Sequence, residues 1–139
     1  YNKLFEPART PADWLTKDQA VVDRYLADPW CTFMFTVNAY YQMFCGIERA
    51  QNPANIAKIP KDLPIFFVSG QDDPVGGQGK TAEEVYRAYQ KAGIKNLDKK
   101  FYQGDRHEIL NETDRAQVYK DLLAWLDDKA GGMTACMTD

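Results

Sequence analysis

The sequence predicts an α/β protein in which a parallel pair of strands, each followed by a helix, comes after a helical segment. From residue 60 onward the pattern alternates between strand and helix, an order typical of parallel strands joined by a crossover helix. Residues 63–69 form a short, continuous apolar run, which indicates a strand buried on both faces. The chain has 139 residues, of which 45% are hydrophobic and 27% charged, so it suits one globular domain and not a disordered tail.

The aromatic-rich first part of the chain predicts two helices after an opening loop. The first begins near Thr16, because Thr16 and Gln19 fit a capping box, and it ends at Asp28-Pro29, because a residue before proline avoids helical geometry. Residues 33–44 are too apolar for a solvated helix and too long for one strand. They predict a helix that is covered on most sides as part of a core, or one that lines an apolar cavity.

The second part of the chain is more regular. In order, it predicts a strand at 63–69, a loop at 70–77, a helix from a capping box at 81–84 to Gly93, a strand at 99–102, a loop at 104–111, and a helix at 113–129. The core-facing residues predicted for the last helix are Ala116, Tyr119, Leu122, Leu123 and Leu126. The remaining residues, 131–139, are expected to be a flexible tail.

A sheet typically has about four to six strands, and this chain predicts only two. Such a sheet has open edges, which invite pairing with another chain. We therefore expect the sheet to be completed by further polypeptide or by a second copy of the chain.

The loops that follow the two predicted strands contain the residues with the clearest chemical potential. The carboxyl ends of neighbouring parallel strands lie about 4.8 Å apart, so these loops should meet at one edge of the sheet. If Asp73 accepts a hydrogen bond from Nδ1 of His107, it fixes the tautomer and leaves Nε2 free to take a proton from a nucleophile. The alternative is that Asp73 only caps the turn before Pro74 and that His107, the single histidine, is a helix-start or surface residue.

Other binding chemistries have weaker support. The carboxylates Asp72, Asp73 and Glu108 lack the spacing of a calcium loop, and the glycines at 70–79 match neither common phosphate-loop motif, so we predict no metal and no cofactor. The net charge of −3 argues against a nucleic-acid partner, and the longest strong apolar run, 65–68, is too short to span a membrane.

The cysteines give a weak indication of location. Cys31, Cys45 and Cys136 are irregularly spaced without a C-x-x-C pair, which favours three free thiols, two of them buried and one on the tail. Free thiols are typical of a reducing compartment, so we expect a cytoplasmic protein.

Three segments make the sequence resemble the serine hydrolases of the α/β-hydrolase superfamily, of the lysophospholipase and monoacylglycerol-lipase type. Residues 64–75 resemble the penultimate strand and acid loop, 101–110 the last strand and histidine loop, and 118–126 the closing helix. Residues 14–47 resemble part of the helical cap. The resemblance implies the C-terminal part of a doubly wound, mainly parallel α/β-hydrolase sheet, with a cap segment at 1–59, a core portion at 60–130 and the tail at 131–139.

The same resemblance implies an acyl-transfer site with a Ser-Asp-His triad. Asp73 would be the acid and His107 the base. The nucleophile motif G-x-S-x-G does not occur, and the single serine, Ser69, lies within the predicted strand. The implied partner is therefore a missing N-terminal half that carries the serine and the oxyanion hole, the implied substrate is an acyl ester, and the 139 residues alone are expected to be inactive.

Two alternatives remain open at the level of sequence. The chain could be a non-catalytic binding or dimerisation module that uses its exposed strand edge. It could also be an α/β hydrolase with an aspartate nucleophile upstream, as in dehalogenases and epoxide hydrolases.

Overall fold

A computed structural model describes residues 1–134 as an α/β protein with two strands. The helices are α1 (Gln19–Ala27), α2 (Val37–Gln51), α3 (Pro53–Ile56), α4 (Lys80–Lys91) and α5 (Arg115–Thr134); the strands are β1 (Ile65–Gly70) and β2 (Leu97–Tyr102); and short 3-10 turns cover Asn2–Phe5 and Ile109–Asn111. The predicted order of helical segment, strand, helix, strand and helix is confirmed.

The two strands pair in parallel, as predicted. The register aligns Ile65 with Leu97 and Gly70 with Tyr102, so both strands end at the same edge of the sheet. Within the described residues the sheet has only these two strands, and each has one unpaired edge. The residues of β1 before Gly70 are therefore half-buried, and the expectation of a strand buried on both faces is wrong for this part of the chain.

The helices α4 and α5 cover opposite faces of the sheet. Phe67 of β1 packs edge-on against Tyr86 and Tyr89 of α4. The next residue back along the strand, Phe66, points the other way and stacks on Trp125 of α5, with ring centroids 5.3 Å apart. This follows from the alternation of side chains along a strand, and it encloses the pair of strands in three layers.

Fewer side chains of α5 are buried than its apolar pattern predicts. Val118 is fully buried beside Tyr102, and Leu122 packs against the same cluster. The other predicted core residues, Ala116, Tyr119, Leu123 and Leu126, are exposed, so that part of the prediction is wrong. The helix also continues past Lys129 to Thr134, through the first part of the expected tail, and residues 135–139 lie outside the described residues.

The helix α2 departs most from expectation, because its apolar side chains are exposed. It begins at Val37, where Thr36 caps it, and it runs through Gly46 to Gln51. The exposed fractions are 63% for Tyr41 and 60% for Phe44 in the helix, and 85% for Met34 just before it, so the prediction of a covered helix is wrong for the described residues. Ring contacts among neighbouring aromatic residues give only partial cover.

Both predicted capping boxes are also wrong in detail. Asp18, and not Thr16, caps α1, and its carboxylate accepts hydrogen bonds from the two amides that follow Gln19. The Thr16 hydroxyl donates to Glu112 instead. The helix α4 begins at Lys80 after Gly79, whose φ of 81° is left-handed, and no side chain caps it.

The cysteines are less buried than expected. Cys31 is exposed and Cys45 is half-buried; both are free thiols, and Cys136 lies outside the described residues. No helix in the described part of the chain has the length and apolarity that crossing a bilayer requires.

Candidate active site

The loops after β1 and β2 meet at the shared end of the two strands. The Gln71 amide donates to the carbonyl of Tyr102, and the Asp72 amide donates to the carbonyl of Asp105, both at 2.8 Å. A Cβ atom on Gly70 would lie 2.1 Å from the carbonyl oxygen of Arg106, so only glycine permits this approach. The register of the sheet and one small residue therefore bring the two loops into direct contact.

Asp73 and His107, the two residues that the sequence singles out, lie within hydrogen-bonding distance. Nδ1 of His107 is 3.1 Å from Oδ1 of Asp73 and 3.2 Å from Oδ2. An ionised carboxylate can only accept, so the neutral imidazole that suits this contact is the tautomer that donates from Nδ1 and offers Nε2 as an acceptor. The Asp73 side chain is 10% exposed and that of His107 is 37% exposed, so the pair reaches the surface at the imidazole.

Asp73 also caps its own turn, so both sequence-based readings of this residue describe real contacts. Its Oδ1 accepts a hydrogen bond from the Val75 amide at 2.8 Å, and its carbonyl accepts one from the Gln78 amide at 2.8 Å. These contacts hold the carboxylate in place beside the imidazole. The serine of β1, Ser69, donates its hydroxyl to the carbonyl of Gly70 at 3.2 Å.

A tryptophan that sequence reasoning did not identify lies against the imidazole. The ring centroids of Trp14 and His107 are 5.2 Å apart, with the planes tilted by 44°. The Glu108 amide donates to the carbonyl of Leu15 at 2.8 Å, which ties the histidine loop to the segment that carries Trp14. These contacts join parts of the chain more than 90 positions apart, which explains why local sequence patterns do not reveal them.

Two fully buried carboxylates, Asp105 and Glu112, stand directly behind the histidine loop. They lie with the exposed Asp114 in one acidic group, whose ligand atoms are within 4.8 Å of one another. The ammonium of Lys17 lies 2.7 Å from Asp105, 3.9 Å from Glu112 and 3.6 Å from Asp114. A cation of the chain itself therefore lies beside all three carboxylates and offsets part of their charge.

Burial shapes the protonation of Asp105. Burial raises the pKa of Asp105 above its ordinary value, and the neighbouring Asp114 carboxyl adds to the rise against the opposing effect of Lys17. One Asp105 oxygen, Oδ2, has no hydrogen-bond partner among the described residues.

The acids that the sequence suggested as a weak cation site, Asp72, Asp73 and Glu108, do not form such a group in the described part of the chain.

Comparison with known proteins identifies a family and two solved structures that are similar to most of this chain. A family model described as serine aminopeptidase, S33, matches residues 2–114. The structure is similar to that of a highly thermostable carboxyl esterase from Bacillus coagulans, crystallised with glycerol, with a TM-score of 0.83 and 27% identity over 91% of this chain. It is also similar to a soluble variant of monoglyceride lipase from Saccharomyces cerevisiae in complex with a substrate analogue, with a TM-score of 0.64 and 25% identity over 86% of this chain.

These similarities cover only part of each relative. The chain corresponds to 42% of the length of the carboxyl esterase and to 42% of the length of the monoglyceride lipase. No curated protein matches the chain significantly.

Proposed function

Because the chain belongs to the α/β-hydrolase family described as serine aminopeptidase, S33, we propose that it forms the acid–base part of a carboxylic-ester hydrolase. The observation that carries the proposal is the hydrogen bond of 3.1 Å between Nδ1 of His107 and the carboxylate of Asp73. An ester substrate is favoured because both structural relatives are ester hydrolases by their descriptions.

The proposed reaction is acyl transfer through a Ser-Asp-His triad. A serine Oγ attacks the ester carbonyl while Nε2 of His107 takes its proton, and the Asp73 carboxylate stabilises the imidazolium that forms. His107 then gives the proton to the departing alkoxide, which leaves as the alcohol and gives an acyl-enzyme. Water, activated by the same imidazole, releases the carboxylic acid and restores the serine.

The nucleophile is proposed to come from a polypeptide segment outside these 139 residues. The G-x-S-x-G motif is absent from the sequence, the hydroxyl of Ser69 is bonded to its own strand, and the chain spans 42% of the length of its structural relatives. We propose that this segment is the N-terminal half of the same protein and that it also supplies the oxyanion hole. The chain alone is then inactive.

Residues 1–59 are proposed to act as the cap over an acyl-chain pocket, with 60–130 as the core portion and 131–139 as a tail. Residues 31–47 contain no charged side chain. Their aromatic and aliphatic side chains are largely exposed, including Phe33, Tyr41 and Phe44. An uncharged, aromatic surface suits a fatty acyl chain, because burial of apolar area is what favours such binding.

The free thiols support a reducing, cytoplasmic location as part of the proposal.

Substitution of the acid and the base tests the proposed function in the polypeptide that contains this chain together with the serine. Asp73→Asn and His107→Ala should each lower kcat for a short-chain ester by about 10⁴-fold, because the tautomer or the base is lost. A fluorophosphonate should label the wild-type serine, and both variants should react far more slowly.

The neighbouring acid provides a matched control. Asp72→Asn removes the same charge one position earlier and should keep kcat close to that of the wild type. Undiminished turnover in Asp73→Asn or His107→Ala would refute the assigned roles. Folded wild-type protein that fluorophosphonate does not label would favour one of the alternatives, an aspartate nucleophile or a binding module.

A further inference from the structure

Glu112 is a fully buried carboxylate that lies behind the candidate active site and accepts hydrogen bonds from two separate parts of the chain. Its Oε1 accepts from the amide of Arg106 at 2.8 Å. Its Oε2 accepts from the hydroxyl of Thr16 at 2.9 Å and from the amide of Lys17 at 3.0 Å. Burial of a carboxylate is costly unless such donors satisfy it. Hydrogen bonds to a carboxylate are short and strong, so these contacts fix the backbone at Arg106 and the segment of Thr16 and Lys17 relative to Glu112.

The contacts of Glu112 coincide with the residues that flank His107 and Trp14. Arg106 directly precedes His107, and its amide is the one that Glu112 binds. On the other side, the Glu108 amide is held by the carbonyl of Leu15, the residue after Trp14. The histidine loop is thus fixed at the peptides before and after the imidazole, and both anchors lead to the segment whose tryptophan lies on the ring.

The guanidinium of Arg106 reinforces the same arrangement. Its Nη1 donates to the carbonyls of Asp13 and Thr16, and its central carbon lies 4.1 Å from the ring centre of Phe5. Since the Arg106 amide is bound to Glu112 while its side chain holds the Trp14 segment, displacement of Glu112 would loosen both contacts of the imidazole at once.

We propose that Glu112 is a positioning residue for the hydrolase: it fixes the backbone of the histidine loop so that His107 meets Asp73 on one side and Trp14 on the other. The proposal rests on the proposed function, because it requires His107 to be the base. Glu112 does not touch the substrate, so its loss should change the chemical step and leave substrate binding nearly unaltered.

The substitution Glu112→Gln separates this role from mere burial. Glutamine has nearly the same shape but only one acceptor oxygen. That oxygen satisfies the donors that converge at Oε2, which places the amide NH₂ group against the Arg106 amide and breaks the anchor next to His107. In the polypeptide that contains the serine, we expect kcat to fall by about 10- to 100-fold, since a misplacement of about 1 Å can cost about 100-fold. KM should stay within about 2-fold.

Two further variants complete the test. Asp18→Ala removes the cap of α1 and should lower the melting temperature by about 2–8 °C without a change in kcat, which excludes lower stability as the cause. Glu112→Asp keeps two acceptor oxygens on a shorter arm and should give a kcat between those of the wild type and Glu112→Gln. If Glu112→Gln does not fold, a folded Glu112→Asp variant carries the test through its kcat and the rate of fluorophosphonate labelling.

The outcomes separate the two proposals. Wild-type kcat in folded Glu112→Gln or, if that variant does not fold, in Glu112→Asp overturns the role of Glu112, even when Asp73→Asn is inactive. A wild-type enzyme without esterase activity or labelling overturns the proposed function and the role of Glu112 with it. A reduced kcat with an unchanged KM, absent in Asp18→Ala, supports the positioning role.

Discussion

Gly70 is the residue at which the two loops of the site come closest. A side chain there would meet the backbone carbonyls of Asp105 and Arg106 at 2.3 Å and 2.1 Å, and backbone atoms cannot move aside as the end of a flexible side chain can. The position therefore tolerates only glycine while both strands keep their register.

We expect Gly70→Ala to destabilise the protein by at least about 1–3 kcal/mol, the range for overpacked sites, because the two loops must separate. The measurement is the free energy of unfolding in urea. Gly46→Ala is the matched control: a Cβ at Gly46 meets nothing within 4 Å, and alanine should stabilise α2 by up to about 1 kcal/mol. Equal stability of wild type and Gly70→Ala would contradict the close approach that the structure shows.

The pairing of Asp73 with His107 is predictable from sequence because each residue follows a strand, and parallel strands end at one edge. Trp14 and Glu112 are not predictable in this way. Trp14 meets His107, and Glu112 meets Thr16 and Lys17, across more than 90 positions. These contacts, and the nearer one between Glu112 and the Arg106 amide, depend on loop conformations that no periodic pattern encodes. The sequence therefore predicts the chemical groups of the site better than the residues that hold them.

At the scale of elements, acidic side chains join β2 to α5: Asp98 of β2 accepts a hydrogen bond from Nε1 of Trp125, and Asp121 of α5 reaches back to the strand. Asp121 of α5 accepts hydrogen bonds from the Tyr102 hydroxyl at 3.0 Å and from the Lys100 ammonium at 2.6 Å. Burial, followed by the hydrogen bond and the charge of Asp121, raises the pKa of Tyr102 well above its usual range. The phenol therefore keeps its proton in the folded state when unfolded chains have begun to lose it.

This contact predicts a loss of stability in alkaline solution. The pKa of Tyr102 is raised on folding, so the free energy of unfolding should decline as the pH rises above about 10, the ordinary tyrosine value, at which the unfolded state gives up its proton. The free energy of unfolding of Tyr102→Phe should decline less steeply between about pH 9 and pH 11. The measurement is the urea midpoint of each protein at several pH values in this range. Parallel curves for the two proteins would count against the raised pKa.

Element boundaries show where sequence patterns stop being informative. The strands and α5 are predicted nearly in place, because buried runs and periodic apolar residues are strong local patterns. The apolar composition of α2 predicts a helix correctly but not its surroundings, since composition does not specify which surface covers Tyr41 or Phe44. The Thr16 hydroxyl donates to Glu112, far away in sequence, and Asp18 accepts from the first amides of α1 in its place.

At the scale of the whole molecule, both edges of the sheet and the aromatic surface of α2 lack partners within the described residues. Unpaired strand edges and large apolar patches are the surfaces through which chains associate. The structural relatives are more than twice as long as this chain, which fits the proposal that further polypeptide covers these surfaces.

We therefore expect the isolated 139-residue chain to self-associate or aggregate at micromolar concentration. Sedimentation velocity over a range of concentrations measures this directly. Addition of the segment that carries the serine should shift the material to a defined complex, if that segment covers the same surfaces. A folded, stable monomer at all concentrations would contradict this expectation.

The acid and the base of the site are only 34 residues apart in sequence, in the loops after two successive strands that a single helix joins. Their geometry is consequently assembled within one short stretch of backbone and does not require the nucleophile to be on the same covalent chain. A split enzyme made by separating the polypeptide before this chain should thus regain turnover by complementation, at a rate limited by the docking of the two pieces.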